Sequence, residues 1–211
     1  MKKTLLTVMI ILLATGALFA SQSWIGLQAT GSSVKETSTF TILGVTTPEQ
    51  EHTATLSGVN IVGTIYPGDS SIGIGFQAGS AKTIEDKRGS SDQDVSDYPL
   101  TMNAGVTGTF RLNMTEMIAF ELGAGLLYER IIHTYDVFGT DVVTSLDTLS
   151  LLTSANLVFH LSDSLALVGG IGVAFPLTTT AKATNGSVDY DKEFEVKGYT
   201  ATAKIGVALG F

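Results

Sequence analysis

The last thirteen residues of the chain alternate strictly between two kinds of side chain, and this alternation constrains the fold more than any other feature. The first set is apolar or aromatic and comprises Tyr199, Ala201, Ala203, Ile205, Val207, Leu209 and Phe211. The second set is small or polar and comprises Thr200, Thr202, Lys204, Gly206, Ala208 and Gly210. Successive side chains of a β-strand point to opposite faces, so a period of two predicts a strand with one apolar face. The segment is long enough to cross a bilayer when it is tilted.

The same alternation recurs along the chain and predicts eight strands. Their predicted ranges are 23–37, 53–66, 71–82, 98–112, 117–132, 146–161, 164–180 and 194–211. The first two are the weaker ones, and Leu56 interrupts the alternation of the second. Between the strands, three connections are short, and four are long and rich in charge, at about 38–52, 83–97, 133–145 and 181–193. An even strand number with short turns and long loops is typical of a single-chain membrane barrel, with both termini in the periplasm.

The overall composition agrees with this interpretation. Only 15% of the residues are charged, and the mean hydropathy is +0.31. Beyond residue 20, however, the sequence contains no apolar run of the ~20 residues that a spanning helix requires. A hydrophobic chain without such helices satisfies its backbone in the membrane by closing its strands. We therefore predict an all-β, transmembrane, up-and-down antiparallel β-barrel of about eight strands.

Residues 1–20 have the three-part pattern of a secretory signal peptide. Lys2 and Lys3 precede an apolar stretch, and small residues end it. We expect cleavage after Ala20, with Ala17 as the alternative, and a barrel domain over 21–211. Without the two lysines, ten basic residues remain against 20 acidic ones, which disfavours nucleic-acid binding. The chain has no cysteine and thus no disulfide or thiolate metal site.

The segment Ile205-Gly206-Val207-Ala208-Leu209-Gly210-Phe211 and the alternating strands resemble the small outer-membrane barrels of the OmpX, OmpA-barrel and OmpW type. In those families a terminal aromatic residue with apolar residues at alternate positions is read by the barrel-assembly machinery. The residues that match this assembly signal are Tyr199, Val207, Leu209 and Phe211. The resemblance implies a bacterial outer-membrane location and contact with outer-membrane lipid or lipopolysaccharide.

Three charged residues fall on the inward, polar face of the predicted strands: Arg111, Glu121 and Lys204. Arg111 and Glu121 lie on strands joined by a short turn, so we expect them to approach each other. An unpaired charge inside a barrel is costly. We therefore predict an interior polar network. A sharper hypothesis is a gate, in which Glu121 exchanges partners between Arg111 and Lys204.

The three histidines, His52, His133 and His160, have no sequence partner at the spacing of a metal site. We place His52 and His133 in loops and expect neither a metal nor a cofactor. A lipid-modifying enzyme would need a Ser-His-acid set on the outer surface, and the sequence shows none. We therefore expect no enzymatic activity.

Aromatic residues near the predicted strand ends predict girdles at the two membrane interfaces. They are Tyr66, Tyr98, Phe110, Tyr128, Phe159, Tyr199 and Phe211. The interior of an eight-stranded barrel is about filled by its own side chains. We therefore favour a structural, adhesion or surface-interaction role, in which the loops meet an extracellular partner. The alternative is a narrow channel or transporter for small or hydrophobic compounds, which inward Leu127, Leu152 and Val168 would permit.

Overall fold

The computed structural model describes residues 23–39, 41–42, 45–46, 50–137, 140–185 and 188–210. Eight long antiparallel strands pair in chain order, and the last pairs back with the first. They are β1 (Trp24–Thr39), β2 (Gln50–Ile65), β3 (Ile72–Arg88), β4 (Thr101–Asn113), β5 (Ile118–Val137), β6 (Thr140–Ser162), β7 (Leu165–Asn185) and β8 (Val188–Gly210). The predicted up-and-down antiparallel barrel is confirmed. The predicted signal peptide lies outside the described residues.

Three two-residue strands, Thr41–Ile42, Val45–Thr46 and Ser91–Asp92, complete the secondary structure of the described residues. The first two pair with each other, and the third pairs with the end of β3. Among the described residues, no helix is long and apolar enough to cross a membrane.

The apolar row of each strand points outward, as the alternation predicts. On β8, for example, Ile205, Val207 and Leu209 are 69%, 53% and 59% exposed. An exposed apolar surface of this extent needs an apolar surrounding. On β5 the row runs from Ile118 to Tyr128, which is about 33 Å along the strand and about 25 Å along the axis of a tilted barrel. This height matches the apolar band of an outer-membrane barrel.

The inward rows carry small, polar and a few apolar side chains. At the end of the barrel that carries the short turns, named the periplasmic end after the prediction above, an apolar cluster packs in the lumen and consists of Trp24, Val62, Ala119, Val158, Ala166, Val168 and Ala208. A second, smaller cluster lies higher in the barrel and consists of Leu127, Leu152 and Ala174. The interior is thus a packed core rather than an open pore.

The strands are longer than predicted on their extracellular side, so the predicted loops 83–97, 133–145 and 181–193 are in large part β-strand. Strand β3 continues to Arg88, and β6 begins at Thr140. The sequence signal fails there because both faces of a strand above the membrane meet water. The hydrogen-bonded ladder continues, while the apolar period that reveals it stops.

Candidate functional site

A polar network closes the periplasmic end of the lumen. Arg111 and Glu121 are directly opposite each other in the β4–β5 register, and 3.5 Å separates Arg111 Nη1 from Glu121 Oε1. Both residues are buried. Trp24, on β1, donates a hydrogen bond from Nε1 to the same Oε1 at 2.9 Å. The network therefore joins opposite sides of the barrel wall.

Arg111 is held on three further sides. Its Nε donates to Asn113 Oδ1 at 2.9 Å, and its Nη2 lies 2.8 Å from His160 Nε2. A guanidinium only donates, so His160 Nε2 acts as the acceptor and carries no proton. The guanidinium carbon lies 5.6 Å from the ring centre of Tyr66, within the range of a cation–π contact.

Tyr66 does not belong to a membrane girdle, contrary to the prediction. It is fully buried beneath the lumen, and its backbone N–H donates to Ser23 Oγ at 3.0 Å. Its place at the end of β2, next to the turn that begins at Pro67, suggested an interfacial ring. The ring instead points inward at the end of the lumen, where it packs against Arg111.

Lys204 also points into the lumen and lines two cavities. The lower cavity is about 30 Å³ and the upper one about 60 Å³. A buried water needs roughly 10–15 Å³ of such space, so each cavity has room for a few waters only. In this arrangement Glu121 bonds to Arg111 and Trp24, and Lys204 lies between the cavities.

The wall of the upper cavity is mixed. Leu56, Leu127 and Leu152 lie beside polar groups such as Asn103 and Glu129. Leu56, the residue that breaks the predicted alternation, thus faces the lumen. Beside it the β2–β3 register shifts by one residue. The apolar patch is small and shares its cavity with carboxylate, amide and hydroxyl groups.

A second polar cluster lies at the extracellular mouth, above the apolar row of β2, and it shows that the prediction of a loop position for His52 is wrong. His52 belongs to β2 and faces the lumen between two carboxylates. Its Nε2 is 2.7 Å from Asp86 Oδ1, and its Nδ1 is 3.9 Å from Glu36 Oε2. Tyr98 donates to Asp86 Oδ2 at 2.6 Å, which ties the segment after β3 to the barrel wall.

The electrostatics of this mouth cluster favour a protonated His52. The carboxylate of Glu36 is the main cause of a raised His52 pKa; burial opposes it, and Asp86 adds to it. Arg88 Nε lies 3.8 Å from the buried Asp86 Oδ2 and adds a second cation. Sequence spacing alone could not find this cluster, because its members come from three strands and a loop.

The outward aromatics mark the extracellular edge of the apolar belt. Tyr128 and Tyr199 are both exposed on the outer wall. The hydroxyl of Tyr128 donates to Asp147 Oδ1 at 2.7 Å, and Arg130 Nε lies 3.2 Å from the same oxygen. Tyr98, which we predicted to join this girdle, is instead part of the mouth cluster.

The remaining candidate residues are distributed as follows. His133 lies on β5 rather than in a loop. Among the side chains that the structure describes, no group of three His, Cys, Asp or Glu could hold a metal ion. Of the four residues assigned to the assembly signal, Tyr199, Val207 and Leu209 point outward, and Phe211 lies outside the described residues. Recognition by the assembly machinery stays a prediction.

Comparison with known proteins finds similar solved structures and no match by sequence. No protein-family model and no curated protein matches the chain. The outer membrane protein OprG from Pseudomonas aeruginosa is similar over 92% of this chain and 97% of its own, with 12% identity and a TM-score of 0.62. Neisserial surface protein A is similar over 89% and 97%, with 15% identity and a TM-score of 0.54. A major outer membrane protein from Thermus thermophilus is similar over 86% and 99%, with 12% identity and a TM-score of 0.53.

The closed eight-stranded sheet, its apolar outer belt and these structural relatives define the class: the protein has the fold of the small outer-membrane β-barrels. The solved structures that share this fold are outer-membrane proteins of bacteria, which agrees with the resemblance to small outer-membrane barrels that the sequence indicates.

Proposed function

We propose that the protein is a closed barrel that acts through the surface it presents outside the cell, in a structural or adhesive role. The observation that carries the proposal is the filled lumen. The Arg111–Glu121 pair, Trp24 and the apolar cluster occupy its periplasmic end, and the two cavities above are about 30 and 60 Å³. A solute larger than water has no continuous path through such an interior.

The extracellular half supports the surface role. Strand β5 continues to Val137 and β6 begins at Thr140, and both residues lie well above the apolar belt. Beside them, the segment after β3 carries Asp92, Asp94 and Asp97. Held by the Tyr98–Asp86 hydrogen bond, this acidic segment offers an ordered surface to a basic partner.

Conductance in planar bilayers tests the closed lumen. We expect the wild-type protein to give no stable current, and Glu121→Ala to raise current noise without a defined open state. A steady, solute-selective wild-type current would favour the alternative, a narrow channel for small or hydrophobic compounds. Currents that are indistinguishable between the two proteins would exclude Glu121 as a gate.

Adhesion is tested separately on cells that display the barrel. Residues 90–97 are replaced by a Gly-Ser linker of equal length, and cell binding to a basic surface is compared with wild type at equal display level. The proposal expects binding to fall several-fold. Unchanged binding would show that this acidic segment is not the contact surface.

A further inference from the structure

The lower cavity of the lumen is lined by buried polar groups that lack partners within the chain. Gln28 is 1% exposed, and among the described residues neither its Oε1 nor its Nε2 has a hydrogen-bond partner. The same is true of Asn156 Oδ1, on β6, and of Thr109 Oγ1, on β4. All three side chains line this cavity. Because an unpaired buried polar group costs free energy, these groups favour an occupant that forms hydrogen bonds.

Lys204 brings a positive charge to the same cavity. Within the part of the chain that the structure describes, no carboxylate lies within ion-pair distance of its ammonium group. Glu121 is bound to Arg111 and Trp24 instead, and Glu129 lines the upper cavity but not the lower one. A buried charge without a counter-charge is costly. The charge of the cavity therefore favours an anion.

Two inward glycines let the amides approach Lys204. Asn156 and Lys204 both lie opposite Gly170, on either side of β7. A Cβ atom added at Gly170 would meet Asn156 Oδ1, so this amide leans over the glycine toward β8. Gln28 lies opposite Gly206, two residues from Lys204, and its Cγ occupies the space that a Cβ atom there would need. The two amides therefore extend toward Lys204 from β6 and from β1.

The charge and the volume of the cavity together select the occupant. At about 30 Å³ the cavity admits about two water-sized species, which is too little for sulfate, phosphate or a carboxylate ligand. A cation is disfavoured because the ammonium group would repel it. Water alone would satisfy the amides and the hydroxyl but would leave the charge of Lys204 unbalanced. A monatomic anion together with one water meets both demands.

We propose that the lower cavity is a binding site for one monovalent, monatomic anion such as chloride. The ammonium group of Lys204 has three protons, one for the ion and one each for the amide oxygens of Gln28 and Asn156. The Nε2 group of Gln28 and the hydroxyl of Thr109 donate to the ion from β1 and β4. The ion thus joins strands from opposite sides of the barrel and stabilises the folded state. The proposal does not depend on the surface role of the extracellular half.

Bromide, a heavy monatomic anion, tests the site, because Trp24 is the one tryptophan of the chain and lines the cavity. The protein is folded from urea into detergent at increasing sodium bromide, and sodium gluconate, whose anion is too large for the cavity, keeps the ionic strength constant. We expect saturable quenching of the tryptophan fluorescence by bromide. Lys204→Met and Gln28→Leu should each raise the half-saturating bromide concentration at least about 10-fold. Anomalous diffraction from wild-type crystals grown in bromide should show one bromide beside Lys204.

The matched control is Lys82→Met, which removes one positive charge from an exposed position on β3. This variant should keep the wild-type bromide dependence, and a loss equal to that of Lys204→Met would reduce the effect to general electrostatic attraction and overturn the proposal. Wild-type quenching that does not saturate, or a crystal with water alone beside Lys204, would also overturn it. Bromide binding that is found only in Glu129→Gln would show that Glu129 neutralises Lys204 across the upper cavity, and the proposal would again be wrong.

Discussion

Arg111 and Glu121 face each other across the β4–β5 pair at the periplasmic end of the lumen, with 3.5 Å between Nη1 and Oε1. Each is also held by a partner from elsewhere in the barrel: His160 for the arginine and Trp24 for the glutamate. The pair is therefore a junction of four strands rather than an isolated contact.

The first prediction concerns the energetic coupling of this pair. Arg111→Met leaves the buried Glu121 carboxylate without its cation, and we expect it to destabilise the barrel by about 3–5 kcal/mol. The double variant Arg111→Met/Glu121→Gln removes both charges and should cost less than the two single changes together. Urea unfolding in detergent micelles, followed on gels by the shift between folded and unfolded bands, measures these free energies. Strictly additive costs would show that the two side chains do not interact.

The second prediction uses Trp24, the one tryptophan of the chain. Its ring is buried in the lumen, so we expect blue-shifted fluorescence that brominated lipid chains do not quench. The control is Trp24→Phe/Ile205→Trp, which moves the probe to the lipid-facing wall of β8. That variant should be strongly quenched. Quenching of the wild-type tryptophan to the same degree would contradict the inward orientation of Trp24.

The third prediction is a pH dependence at the extracellular mouth. The pKa of His52 is raised in the folded protein above its ordinary value of 6.5, with Glu36 as the main cause. The stabilisation from protonated His52 is therefore full below about pH 6.5 and is lost as the pH rises through the higher, folded-state value. The other charged or titratable groups that face this ring are Asp86, Arg88 and Tyr98.

His52→Gln keeps hydrogen-bonding capacity but removes the titration. The difference in unfolding free energy between wild type and this variant should shrink as the pH rises from about 5.5 to about 9. Hydrogen exchange of the Gln93 amide, which donates to the Asp86 carbonyl at 2.9 Å, reports the same change locally. A difference that is constant with pH would show that His52 does not titrate in this cluster.

The fourth prediction concerns the closure of the barrel between β8 and β1. A Cβ atom at Gly206 would clash with the carbonyl oxygen of Leu27 and the backbone of Gln28. At Gly169 the nearest atom would be 3.8 Å away. We expect Gly206→Ala to lower the folded fraction, at a cost of about 1–3 kcal/mol, and Gly169→Ala to fold normally. Equal folding yields of the two variants in detergent would contradict the close approach.

The eight strands and their outward faces could be predicted from the sequence because the membrane imposes a period of two on each strand. The position of Arg111 opposite Glu121 could also be predicted, because the period of two points both side chains inward and a short turn joins their strands. The environment of Tyr66 could not be predicted, since a strand-end ring can turn either to the interface or under the lumen.

The mouth cluster illustrates a second limit. Glu36, His52 and Asp86 come from three strands whose extracellular ends have no apolar alternation. Their side chains meet only because the ladder continues in water and because a register shift beside Leu56 keeps Asp86 inward. Neither cause leaves a pattern that a single sequence shows.

The length of the strands above the apolar belt has a mechanical consequence. From Tyr128 to Val137, β5 rises about 20 Å beyond the membrane surface as hydrogen-bonded ladder. Because β5 stays paired with β6 up to Val137 and Thr140, a peptide inserted between these two strands would be presented about 20 Å above the apolar belt, at the end of a β-ladder rather than on a long loop. The barrel is therefore suited to the display of inserted peptides.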